Sequence, residues 1–167
     1  MAAEPGSHYL GQFDNRINLK VHYHTTGKEI VQDLPNIDVF VAGIGTGGTI
    51  MGVSRRIRET NPQVMVVGVE PRMGEVLQGL RSLSEGYVPP LLDLQQLNRR
   101  FLADNATAIE RCRIIIEEEG IFSGISAGAT LHAALRVAED MTEGTIVVMF
   151  SDGGWKYLPA RPWDAAK

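Results

Sequence analysis

Four glycines fall within six residues, at Gly43, Gly45, Gly47 and Gly48, with Thr46 and Thr49 set among them. Glycine lets a ligand approach the backbone, and a threonine hydroxyl can donate to an anion. Ahead of them, residues 37–42 are apolar and rich in β-branched side chains. Behind them, Ile50, Val53 and Ile57 recur at helical spacing. A strand, a glycine loop and a helix start bring free N–H groups and the helix dipole to one point, which makes a phosphate site. Two further turns carry polar groups. Residues 121–130 read Ile-Phe-Ser-Gly-Ile-Ser-Ala-Gly-Ala-Thr, and residues 151–157 read Ser-Asp-Gly-Gly-Trp-Lys-Tyr.

Two kinds of phosphate suit the first turn. Gly43-Ile-Gly45-Thr-Gly-Gly48 matches G-x-G-x-x-G, and Glu70 follows where a ribose-binding acid belongs, as in an NAD(P)-binding domain of the Rossmann type. That reading leaves the other two turns unexplained. A single phosphate ester, such as pyridoxal phosphate, would use the amides and hydroxyls of Gly45, Thr46, Gly47, Gly48 and Thr49. Its pyridine nitrogen then needs a partner, and Ser126 in the second turn offers a neutral hydroxyl. A serine there keeps the ring nitrogen unprotonated, which favours elimination and replacement at the β-carbon over transamination. The residues alone leave both readings open.

The elements that must hold these turns alternate between strand and helix. Thr26-Gly-Lys-Glu29 has the pattern of a capping box and predicts a short helix to about Leu34, stopped by Pro35. A strand at 37–42, a helix at 49–59 and a second strand at 64–70 form a βαβ unit and imply a parallel sheet. Residues 72–98 read as irregular, with a short helix near 75–80 and a turn at Pro89-Pro90. A short strand at 101–103, a helix capped by Asn105 and ended by Gly120, a helix over 127–140 and a strand over 145–150 complete the chain. The fold class is α/β: an open, mainly parallel, twisted sheet with flanking helices. The 167 residues make one domain, with a loop-like lead-in over 1–25, a core over 26–158 and a tail over 159–167. In such sheets ligands bind beyond the carboxyl ends of strands, so the three turns outline one site if they converge.

Composition narrows the partners. Hydrophobic content of 44%, charge of 22% and a net charge of −4 are ordinary for a globular protein, and no basic patch points to nucleic acid. No stretch is long enough for a membrane span, and a single cysteine, Cys112, points to a cytoplasmic protein without internal disulfides. His22 and His24 share a face if they lie on a strand. With no third ligand evident, a structural role is expected for them and no metal.

Beyond these readings, three segments resemble the cysteine synthase family, the O-acetylserine and O-phosphoserine sulfhydrylases. They are Gly45-Thr-Gly-Gly-Thr-Ile-Met-Gly52, Glu119-Gly-Ile-Phe-Ser-Gly-Ile-Ser-Ala-Gly-Ala129 and Asp152-Gly-Gly-Trp-Lys-Tyr-Leu158. Gln12-Phe-Asp-Asn15, Asn18, His22 and Thr25-Thr-Gly-Lys-Glu-Ile30 are similar to the family's Q-F-x-N-P-A-N…H…T-T-G-P-E-I segment. The resemblance implies pyridoxal phosphate as cofactor and the larger C-terminal domain of the tryptophan-synthase-β fold type. It implies that residues 45–49 hold the cofactor phosphate, Ser126 faces the ring nitrogen and Gln12 contacts the substrate carboxylate. Arg81 sits where the O-phosphoserine branch places an arginine suited to a phosphorylated substrate. The activity implied is β-replacement on a small amino-acid substrate, giving cysteine. The match runs over the family's C-terminal half only. The family's N-terminal half carries the Schiff-base lysine, and none of Lys20, Lys28, Lys156 and Lys167 lies in a segment like it. Lys28 and Lys156 read as surface charges. The expectation is therefore a truncated or split homologue, inactive alone, completed by a separate N-terminal half or a homodimer partner.

Overall fold

The structure, a computed structural model, describes residues 6–160 and residue 162, so most of the tail expected after 159 lies outside the described residues. Four parallel strands form its sheet: β1 (Val39–Gly43), β2 (Met65–Pro71), β3 (Arg99–Ala103) and β4 (Ile146–Val148), in the order β3-β2-β1-β4. Alternate side chains leave a strand on opposite faces. Val39, Val41, Val67 and Val69 accordingly join one core with α4 (Asn105–Glu119) and α5 (Ile125–Ala138). Phe40, Ala42 and Val66 join a second core with α3 (Gly48–Ile57). Burial on both faces explains why β1 and β2 read as continuous apolar runs.

Strands β1, β2 and β3 succeed one another outward, whereas the chain returns through α4 and α5 to lay β4 on the other side of β1. The order thus reverses between β1 and β4. At such a switch point neighbouring connections diverge and leave a crevice beyond the strand ends.

The structure corrects several local expectations. Residues 17–24 are not loop but helix α1 (Ile17–His24), followed after one residue by α2 (Thr26–Asp33). His22 and His24 therefore do not share a strand face: His22 packs inward and His24 lies edge-on to Tyr23. The capping box does not form, because α1 runs directly into α2 and supplies backbone partners in its place. The Thr25 amide bonds Val21, the Glu29 amide bonds Thr25, and the Thr26 hydroxyl meets His22. Helix α4 is capped by Asp104, whose carboxylate accepts the Thr107 amide at 2.8 Å, and not by Asn105. No helix forms near 75–80; residues 72–98 hold two short 3-10 turns, at Leu83–Glu85 and Leu94–Gln96.

Helix α1 lies against α3 with almost no separation. A Cβ on Gly52 would stand 2.4 Å from the Leu19 carbonyl oxygen, and one on Gly48 would stand 2.2 Å from the Asn18 amide oxygen. Positions four apart share a helix face, so these two glycines form one flat stripe for α1 to cross.

Candidate active site

The three polar turns meet in the crevice between β1 and β4. Gly43, Gly45, Thr46, Gly47 and Thr49 from the first turn, Ser126 from the second, and Ser151, Asp152, Lys156 and Tyr157 from the third line one cavity of ≈ 300 Å³. That is near the lower end of small-molecule sites, about 300–1,000 Å³. The second and third turns are stitched together. Ser123 and Gly153 form a β-bridge, and the Gly124 amide donates to the Asp152 carbonyl at 2.9 Å. A Cβ at Gly124 would collide with the Asp152 carboxylate at 2.0 Å, so glycine is what permits this junction.

The glycine loop turns into α3 through Gly47, whose φ of 87° is costly for a residue with a side chain. The first amides of α3 have no carbonyl a turn behind them, which leaves donors at the cavity wall. Thr46 Oγ1 accepts the Gly48 amide at 3.2 Å and Asn18 Nδ2 at 3.0 Å. Thr49 Oγ1 meets His22 Nε2 at 3.2 Å, while His22 Nδ1 meets Thr26 Oγ1 at 3.3 Å. Partial burial holds the His22 pKa below its ordinary value. Gly48 is not among the residues that line this cavity; it makes room for Asn18.

Residues 77–83 form a roof. A Cβ at Gly45 would lie 2.6 Å from the Gly79 carbonyl, and the Arg81 amide donates to the Ile44 carbonyl at 2.8 Å. Nothing in the sequence marked Gly79 and Leu80 as part of the site; their role follows from an irregular chain path. Beneath the roof lies a second cavity of ≈ 310 Å³, lined by Gln12, Phe13, Gly45, Thr46, Gly79, Leu80 and Arg81. Gln12 and Arg81, far apart in sequence, are thus brought together beside the glycine loop. The Arg81 guanidinium lies over the rings of Phe13 and Tyr87, 4.9 and 5.3 Å from their centroids.

Glu70 corrects the ribose reading. Its side chain is 1% exposed, accepts the Leu83 amide and pairs with Arg100 at 3.3 Å. The carboxylate anchors the roof and is not open to a ligand. Lys156, expected as a surface charge, is half-exposed but lies on the cavity rim, 3.5 Å from Asp152 Oδ2. Tyr157 donates to the same oxygen at 2.9 Å; burial, then this bond, push its pKa up to about 12. Asp152 Oδ1 is buried and has no hydrogen-bond partner among the described residues. Behind it, Cys112 is fully buried and its thiol donates to the Ser123 carbonyl at 3.2 Å. Burial pushes its pKa up, so it stays a neutral thiol at neutral pH.

A strand–glycine loop–helix cradle at a parallel sheet's switch point, roofed by a loop, defines an α/β domain with a small-molecule-sized crevice at its strand ends. The chain belongs to the family of pyridoxal-phosphate dependent enzymes, whose pattern it matches over residues 1–152. It is similar to cysteine synthase B of Pseudomonas aeruginosa, 38% identical over 156 residues, covering 93% of this chain and 52% of the relative. It is likewise 37% identical over 157 residues to a cysteine synthase of Staphylococcus aureus, covering 88% of this chain and 51% of the relative. Among solved structures, a mutant O-ureido-L-serine synthase with O-ureido-L-serine bound matches with a TM-score of 0.83 at 38% identity, covering 93% of this chain and 52% of that one. The chain spans about half the length of the curated relatives it matches.

Proposed function

We propose that this chain forms the phosphate-holding part of a cysteine-synthase-like site that takes pyridoxal phosphate. The observation that carries this reading is the convergence of three separate polar turns on one cavity at the β1–β4 switch point. Two features of the cradle suit a phosphate ester: glycines keep the backbone bare at the loop, and Thr46 and Thr49 line the cavity. The buried Asp152 Oδ1 beside it lacks a donor among the described residues and would take one from the ligand's ring end. Pyridoxal phosphate, when bound, supplies an electron sink that loosens the α-proton and the β-leaving group of an amino acid.

In this reading Gly45, Thr46, Gly47 and Thr49 hold the phosphate with their amides and hydroxyls, while the Gly48 amide is engaged by Thr46 Oγ1. Ser126, 5% exposed near the start of α5, offers its hydroxyl to the ring nitrogen. Gln12 receives the substrate carboxylate in the adjoining cavity. Arg81, held over the rings of Phe13 and Tyr87, receives a phosphoryl group, which supports O-phosphoserine over O-acetylserine. The roof held by Glu70 covers one side of both cavities. A cytoplasmic setting accords with a sole cysteine that is free and buried.

The covalent anchor is the part these residues do not supply. Lys20 and Lys28 line neither cavity, Lys156 is paired with Asp152, and Lys167 lies outside the described residues. In this reading the anchoring lysine, which the resemblance places in the family's N-terminal half, comes from a segment outside these 167 residues or from a partner chain. Titration calorimetry of the chain with pyridoxal phosphate is expected to show reversible binding. Borohydride reduction followed by mass spectrometry should show no stoichiometric adduct, and O-acetylserine or O-phosphoserine with sulfide should give no cysteine. A stoichiometric adduct on one lysine would overturn the missing-anchor reading. Binding of NADH with none of pyridoxal phosphate would overturn the cofactor assignment.

A further inference from the structure

We infer that Asn18 is a positioning residue that forces Thr46 to act as a hydrogen-bond donor toward the cavity, making the glycine loop selective for an anion. The inference rests on the proposed phosphate role of that loop. A threonine hydroxyl has two lone pairs and one proton. Both lone pairs of Thr46 Oγ1 are occupied, by Asn18 Nδ2 at 3.0 Å and by the Gly48 amide at 3.2 Å. Its proton has no acceptor among the described residues, while the residue lines both cavities. Only an acceptor arriving in a cavity can take that proton.

The orientation of Asn18 is not free. Its Nδ2 also donates to the Gln12 carbonyl at 2.8 Å, and a carbonyl can only accept. Turning the amide over would set two oxygens against each other there. The side chain is further wedged against Gly48, where any Cβ would stand 2.2 Å from Asn18 Oδ1. The same amide therefore ties the Gln12 loop to the phosphate loop.

The test compares the wild-type chain with N18D, N18A and T46V, and with each Asn18 change combined with T46V. Inorganic phosphate and pyridoxal 5′-phosphate are the probes, with unphosphorylated pyridoxal as control. Binding is read from the amide resonances of Gly45 and Gly47, and melting of each variant checks folding. Aspartate is nearly isosteric with asparagine but has no proton to give near neutral pH, so Thr46 turns its hydroxyl toward residue 18. N18D is expected to weaken both phosphate probes by about tenfold or more and N18A by about fivefold, with pyridoxal changed little. N18A should add nothing in the T46V background, since the two residues act as one unit. Should N18D fail to fold, N18A carries the comparison.

Phosphate binding unchanged in N18A, or equal losses for pyridoxal and its phosphate, would overturn the inference. A further loss from N18A in the T46V background would do the same. If the wild-type chain binds neither phosphate probe, the anion reading of the loop falls, and the inference with it. If it binds inorganic phosphate as tightly as pyridoxal phosphate, the cofactor proposal fails, while the variants still decide the role of Asn18.

Discussion

At Glu70 a carboxylate sits at the end of a buried strand, where a charge is costly unless it is well partnered. The Leu83 amide and the Arg100 guanidinium supply those partners, one from the roof and one from the neighbouring strand. Replacing Glu70 by alanine leaves a buried amide unpaired and is expected to cost about 1–3 kcal/mol. Urea denaturation would measure it, and E70Q, which keeps an acceptor, should fall between the two. Because the roof covers both cavities, E70A should also weaken pyridoxal phosphate binding, although Glu70 lines neither. His22 shows the same dependence on context. One imidazole bridges two threonines on different helices, a role that follows from the α1–α3 contact and not from the spacing of the two histidines.

Helix α4 begins at a site where the amides of its first turn need acceptors. Asp104 provides one, with Arg72 as a more distant partner at 3.6 Å. The Thr107 amide first, then the Thr107 side chain and Arg72, hold the Asp104 carboxyl below its usual pKa against the opposing effect of burial. A folded-state pKa below the unfolded one gives stability that is present above the unfolded value and lost as pH falls through the folded value. The cap should therefore be intact at neutral pH and weaken only as pH drops below about 4. D104A is expected to lower stability at pH 7 by about 1 kcal/mol. The difference between D104A and wild type should shrink in denaturation curves taken in the acid range. At the other end Gly120 closes α4 with φ of 68°, as its sequence position indicated.

The two edges of the sheet are managed differently. Strand β3 presents Arg99 and Arg100, charges that discourage another strand from pairing there. Strand β4 has no charge across residues 145–150, and its Ile146, Val147 and Val148 remain only half-buried. Phe122, Trp155 and Leu158 add exposed apolar surface, and Phe122 and Trp155 line a groove with Phe150 of the strand's continuation. An unprotected edge of this kind pairs or aggregates. Sedimentation velocity of the 167-residue chain is expected to show association that deepens with concentration. A strictly monomeric profile at tens of micromolar would count against this.

The sequence by itself determined the α/β class, the parallel order of β1 and β2, and the identity of the glycine loop. These follow from local signals: β-branched runs, helical spacing and glycines at one junction. It also carried the family, because Gly45-Thr-Gly-Gly-Thr49 and the two later turns are contiguous motifs. Helix α1 is not legible, since Ile17–His24 has no continuous apolar face and fully buries no side chain; its backbone at Leu19 and Tyr23 packs on Gly52, its Asn18 side chain on Gly48, and Leu19 reaches the core in part. Which turns share a cavity, that Glu70 holds a roof, and that Asn18 directs Thr46 were decided only by tertiary structure. Each depends on a contact between residues 13 to 28 or more positions apart, where no local preference acts. The glycine loop was legible because its chemistry is written in consecutive residues. What aims its hydroxyls was not, because that depends on a helix crossing.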